Sequence, residues 1–132
     1  MAHCARVIPA PHYSHADQTL LTLGAHIVRL DYIMTEIRFK GNAYGAWFSY
    51  SPLGRTLHLG SYSDPHISQT LQVFDGVTNY VRGTEWTQTD IDRAIIATAK
   101  NDAQPIRPNG ATGDALHRHL TGQTPESREQ RY

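Results

Sequence analysis

The sequence has a single cysteine, Cys4, so no internal disulfide can form. In its strand-like setting, Cys4 reads as a small apolar residue with no chemical task. Charge of either sign is also missing in excess: 12 Lys and Arg balance 12 Asp and Glu, with eight histidines taken as neutral. A phosphate backbone or an anionic membrane favours a basic partner, so neither is expected here. Apolar runs are broken by charges well short of a bilayer span. Met1–Arg6 lacks a basic-then-apolar leader pattern, which points to an interior location.

Short catalytic motifs are absent too. There is no Gly-x-Ser-x-Gly elbow, no Gly-x-x-x-x-Gly-Lys-Ser/Thr phosphate loop, and neither orientation of the helical His/Glu zinc motif. His12 and His15 flank a helix start. His117 and His119 stand two apart, so a helix sends them to different sides. No third ligand is evident for either pair, and the chain is expected to bind no metal itself. The acid pairs Asp90/Asp92 and Glu126/Glu129 read as helix-start and surface charges.

What remains is an ordinary apolar fraction, 39%, in 132 residues. That supports one core, hence one domain or part of one. Cys4–Ile8 reads as a short strand stopped by Pro9 and Pro11. A long helix follows, with Ser14 as cap and Asp17 near its positive end. Leu20, Leu23, Ile27, Leu30, Met34 and Ile37 recur at steps of three and four and predict its buried stripe. Gly41 and Asn42 end it, both tolerant of left-handed angles. Ala43–Ser51 and Thr56–Ser63 read as a hairpin turning at Ser51–Arg55. Leu57, Leu59 and Ser61 face one side, and His58, Gly60 and Tyr62 the other.

A second helix is predicted from Asp64 as cap and Pro65 as first residue, with Ile67, Leu71, Phe74, Val77 and Val81 inward. A third is capped by Thr87 with Asp90, or by Thr89 alone, and turns Ile91, Ala94, Ile95 and Thr98 inward. It stops before Pro105, and Gln104–Gly113 reads as a loop. Shorter helices are predicted at Asp114–Leu120 and Pro125–Arg131. The order predicts an α+β fold: a mainly antiparallel sheet covered on one face by helices, residues 1–132 forming a single partial domain.

The stretch "EIRFKGNAYGAWFSY" concentrates chemistry at one helix-to-strand junction. Arg38 can simply be a last-turn cation complementing the helix dipole, and Tyr44 an ordinary strand aromatic. The same geometry also suits recognition. A guanidinium offers several planar donors to peptide carbonyls. A phenol offers one rigid donor to a developing oxyanion. Gly41, Asn42 and Gly45, with the small Ala43 and Ala46, shape the turn and leave room for another backbone to approach.

"TEIRFKGNAYGAWFSYS" resembles the second-half signature of the pitrilysin/insulinase zinc peptidases, in particular the presequence-protease, falcilysin-like branch. Arg38, Lys40, Gly41, Ala43, Tyr44 and Gly45 match in register. Downstream, Tyr62, Asp64 and Pro65 are similar to that family's Tyr-x-Asp-Pro helix entry. "WTQTDIDRAIIATAKNDAQPIRP" resembles its next helix and loop, and Arg128–Glu129 fall where an Arg-Glu pair is common. The resemblance spans roughly Val7 to Arg131.

It implies a two-halved, chamber-forming zinc metalloendopeptidase that degrades short unstructured peptides. The metal and its His-x-x-Glu-His helix would lie in an N-terminal half or homologous subunit. Arg38 would hold a substrate backbone carbonyl, and Tyr44 would donate to the scissile carbonyl oxygen. This chain would supply substrate-binding and chamber-forming residues, with no catalytic residue of its own when alone. Asn42 replaces a usual glycine, Phe39 is bulkier than usual, and Trp47 and Phe48 replace small residues, so they narrow the chamber or cover surface. With the zinc half absent, a non-catalytic scaffold relative in a larger complex and a truncated gene product are the alternative expectations.

Overall fold

A computed structural model describes residues 1–126. It divides into two compact units, Met1–Ile96 and a second beginning at Ala97. The expected pair Arg128–Glu129, and most of the expected helix Pro125–Arg131, lie outside the described residues.

In the first unit, strands β1 (Ala2–Pro9), β2 (Gly45–Ser51) and β3 (Thr56–Asp64) form an antiparallel sheet in the order β1-β3-β2. Cys4 pairs with Ser61 and Ile8 with Leu57 across one seam; Ala46 pairs with Ser61 and Phe48 with Leu59 across the other. The fold is α+β as expected. Alternation along the strands turns Cys4, Ala46, Phe48, Leu59 and Ser61 toward the helices, all of them buried. Val28, Ile33, Ile37, Ala43 and Phe74 complete the core from the helices and the turn. The expected common side of Leu57, Leu59 and Ser61 is the one that faces the core, with Leu59 and Ser61 buried and Leu57 partly buried against it.

The long helix starts later than its predicted cap. Ser14 instead lies beside His12, Oγ to Nδ1 at 3.2 Å, and the Asp17 N–H donates to His15 Nδ1 at 3.1 Å. This polar turn closes on itself, and α1 begins at Gln18 and runs to Val28. The chain then continues as a π-helix, Arg29–Lys40. Hydrogen bonds that skip five residues widen each turn, so the three-and-four spacing no longer tracks the buried side. Val28, Ile33 and Ile37, separated by steps of five and four, are buried, while Leu30 of the predicted stripe is exposed; Leu20 is exposed for a different reason, its place on the first turn of the regular helix α1.

Helix α2 spans Ile67–Gly83, with His66 and not Asp64 at its N-cap. Its inward face is Thr70, Phe74 and Val77, with Val73 and Tyr80 packed against the core; Ile67, Leu71 and Val81 are exposed. The face is rotated because Thr70 is drawn inward to the Asp64 carboxylate, described below. Arg6 ties this helix to β1 through an ion pair with Asp75 at 2.6 Å.

Helix α3 (Gln88–Asp102) begins with the Thr87–Asp90 cap, the first of the two expected alternatives. The Thr87 hydroxyl donates to Asp90 Oδ2 at 2.6 Å, and the Asp90 N–H returns a bond to Thr87 Oγ1 at 3.3 Å. Ala94 is buried, whereas Ile95 is exposed. In the second unit, α4 spans Pro108–Thr121, so most of the expected loop is helical. Proline at the first helical position is preorganised for this start, and Gly122 closes the helix at φ 67°.

Candidate functional site

The candidate site is the junction where the π-helix hands over to β2. Its turn closes by two backbone bonds: the Asn42 N–H donates to the Arg38 carbonyl at 3.0 Å and the Ala43 N–H to the Ile37 carbonyl at 3.1 Å. This resembles a Schellman closure, one residue wider to match the wider helix. Asn42 alone takes the left-handed conformation, φ 59°, while Gly41 stays at φ −86°. Gly41 answers a different need. A Cβ there would stand 2.6 Å from the Ile37 carbonyl oxygen, so the backbone that approaches it is the chain's own. Lys40 pairs with Glu36 at 2.6 Å one turn back. Ala43, 3% exposed, anchors the exit of the turn in the core.

Arg38 is exposed on the last turn, its guanidinium carbon 5.7 Å from the centre of the Phe39 ring. That cation–π contact gives the bulky Phe39 a local partner. Tyr44 is 69% exposed. Its N–H donates to the Ser63 carbonyl at 3.4 Å, and its ring meets Tyr62 edge-on, centres 5.1 Å apart. Arg38 and Tyr44 thus share one exposed junction, and each rests on a different aromatic ring.

Tyr62, which the sequence places only on the hairpin and in the Tyr-x-Asp-Pro helix entry, is the supporting residue that sequence reasoning did not assign to the site. It lies opposite Gly45 in the β2–β3 register, and a Cβ on Gly45 would come within 2.2 Å of Tyr62 Cε1. The space at Gly45 is therefore filled by a ring of this chain and not left for a substrate backbone. Ala43 and Ala46 are buried and leave no such room either. On its other flank Tyr62 stacks with His3, interplanar angle 5° and centres 6.3 Å apart. The neighbouring row repeats the device with strands exchanged: Trp47 lies across Gly60. A glycine facing an aromatic across a hairpin is a legible signal, because the ring covers the bare backbone. Trp47 and Phe48 consequently act on opposite faces, Phe48 in the core and Trp47 on the outer side.

The end of β3 is fixed by a buried carboxylate. Asp64, 2% exposed, accepts from Ser61 Oγ at 2.5 Å and Thr70 Oγ1 at 2.6 Å through Oδ2, and from the His66 N–H at 2.8 Å through Oδ1. Burial alone would raise its pKa. The bonds from Ser61, Thr70 and the His66 N–H, with the charge of His66, outweigh that and hold it below the ordinary carboxylate value. Between Tyr62 and Asp64, Ser63 takes φ 49° and presents the carbonyl that receives the Tyr44 N–H.

Among the described residues, no group of three or more His, Cys, Asp or Glu side chains could hold a metal ion. The donor set among the described residues does not fit zinc. Among the same residues, no helix is long and apolar enough to cross a membrane.

Residues 15–132 match the PreP C-terminal domain family. A mitochondrial presequence protease of Kluyveromyces lactis is 27% identical over 129 residues, covering 97% of this chain and 13% of that protein. One of Danio rerio is 31% identical over 129 residues, 98% of this chain and 12% of that protein. Presequence protease 1, chloroplastic/mitochondrial, of Arabidopsis thaliana is 28% identical over 115 residues, 87% of this chain and 11% of that protein. The chain spans roughly an eighth of the length of these relatives. With a match that runs over most of its length and includes the Arg38–Tyr44 junction, the chain belongs to the PreP C-terminal domain family.

Proposed function

We propose that this chain is the substrate-facing, chamber-forming part of a zinc-dependent metalloendopeptidase that degrades short unstructured peptides. The observation that carries the reading is the exposed Tyr44 phenol, held on the Tyr62 ring at the exit of the same tightly closed turn that Arg38, also exposed, enters. Arg38 donates to backbone carbonyls of an extended peptide; its flat fork suits carbonyls presented in a row. Tyr44 donates its hydroxyl proton to the carbonyl oxygen of the bond being cut, as negative charge builds on that oxygen. A donor fixed before the reaction contributes without reorganising at the moment of charge development. The zinc belongs to another part of the assembled enzyme, an N-terminal half or a homologous subunit. When bound there it supplies an activated water. The mitochondrial and chloroplastic names of the relatives support an interior compartment.

The test is reconstitution with a zinc-bearing half and an assay on a quenched, unstructured peptide. Tyr44→Phe is expected to lower turnover about 10- to 1000-fold, the cost of one lost oxyanion donor. A rate equal to wild type removes that role from Tyr44. Arg38→Ala is expected mainly to weaken peptide binding, and unchanged affinity refutes the clamp.

A further inference from the structure

We infer that Tyr62 is a positioning residue for this peptidase: its ring, seated across the bare backbone of Gly45, sets the direction of the Tyr44 phenol. The inference rests on the function proposed above and adds to it the residue through which Tyr44 is aimed.

Tyr44 has few restraints of its own. It is 69% exposed, and it stands just before β2, outside the ladder. A side chain so exposed samples several rotamers unless a neighbour selects one. Two contacts do this. The Tyr44 N–H to the Ser63 carbonyl fixes the backbone, and the edge-on contact with Tyr62, rings inclined at 61°, fixes the ring. Edge-to-face contact has a preferred geometry that a purely aliphatic neighbour lacks.

Tyr62, though 39% exposed, can serve because its ring is seated between Gly45 and His3. Gly45 has no Cβ, so the Tyr62 ring lies close against the backbone one residue from Tyr44. His3 stacks on the ring from β1, at the sheet's opposite edge. Two residues along, Asp64 locks the strand end with three hydrogen bonds, and Ser63 between them keeps its left-handed angle. Rigidity thus passes from a buried carboxylate through one ring to an exposed hydroxyl. A preorganised donor is worth far more than a mobile one, and an offset of about 1 Å in a positioned group costs on the order of 100-fold in rate.

The experiment uses the reconstituted two-part enzyme and the quenched peptide. Tyr62→Phe keeps the ring and is expected to retain wild-type kcat. Tyr62→Leu is expected to lower kcat about tenfold or more, with KM changed less than twofold. In a Tyr44→Phe background, Tyr62→Leu is expected to cost nothing further, because a residue that acts by aiming a hydroxyl has no effect once the hydroxyl is gone. Additive losses, or wild-type kcat in Tyr62→Leu while Tyr44→Phe is impaired, overturn the inference and leave the role of Tyr44 standing. Wild-type activity in Tyr44→Phe overturns both together. A readout independent of activity is the NMR signal of the selectively labelled Tyr44 ring. Its ring-current shift is expected to be kept in Tyr62→Phe and lost in Tyr62→Leu; an unmoved signal in Tyr62→Leu refutes the contact.

Discussion

Asp64→Ala is the substitution for which the structure gives the most definite energy. It removes one acceptor group from three donors. Ser61 and Thr70 are 0% and 2% exposed, so their hydroxyls have no ready access to water once the carboxylate is gone. A buried donor left unpaired costs about 1–3 kcal/mol, so the two together cost about 2–6 kcal/mol. The His66 N–H is only partly buried, and its loss adds little. A water entering the vacated space offsets part of the penalty. The expected loss is therefore about 2–5 kcal/mol, a large share of the about 5–15 kcal/mol typical of a domain. Asp64→Asn keeps an oxygen for the His66 N–H but turns an amide toward two hydroxyls that must reverse to accept, so its cost is expected to be intermediate. Urea unfolding of the whole chain is the assay, read as a shift in midpoint at constant slope.

The same carboxylate predicts an acid dependence. Its folded pKa lies below the ordinary value, so its stabilisation is complete above the unfolded carboxylate range, near ~4, and is lost as pH falls through the lower folded value. The stability gap between wild type and Asp64→Asn is expected to narrow over that acid window. An Asp64→Ala protein within about 1 kcal/mol of wild type, or a gap that does not move with acid, would refute this account of the strand end.

Asn42→Gly is expected to leave stability nearly unchanged, and Asn42→Val to cost about 1–2 kcal/mol, since φ 59° crowds a Cβ-branched residue; urea midpoints decide it. Gly60→Ala places a Cβ 2.0 Å from Trp47 Cζ2, so the indole is expected to move, with a changed emission maximum and a loss of about 1–3 kcal/mol. Ile33→Ala, at a fully buried position, is expected to cost about 2–5 kcal/mol, and Leu30→Ala, at an exposed one, under about 0.5 kcal/mol; the reverse order would restore an uninterrupted α-helix.

The hairpin was legible because strand periodicity is rigid: with Leu59 inward, Ser61 must follow, and the observed register agrees. The Thr87–Asp90 cap was legible because it is local, formed by residues three apart. The long helix is read less well because its burial pattern depends on the number of residues per turn, which changes where the π-helix begins at Arg29. Leu30 fits an α-helical stripe by sequence, yet the wider helix puts Ile33 in the core instead. Helix α2 was misread for a related reason. Apolar spacing selected Ile67 and Leu71, but the demand of a buried carboxylate for a hydroxyl selected Thr70 and turned the face. A polar contact between residues six apart leaves no trace in hydrophobic periodicity.

At the site, Arg38, Tyr44 and the left-handed turn were visible as residue types in a pattern, while the support beneath them was not. What determines the support is cross-strand registry. Gly45 and Tyr62 become neighbours only once Ser51–Arg55 turns the hairpin and Phe48 is paired with Leu59. A one-residue slip would face Tyr62 inward and strip Tyr44 of its ring contact, and it would also expose Leu59 and bury His58. The free energy that fixes Tyr44 is thus borrowed from the core on the sheet's far side, where burial of Phe48 and Leu59 admits only one register. A substitution in that core can therefore disturb an exposed phenol it does not touch, whereas changes at exposed Phe39 can act only through Arg38 and the turn.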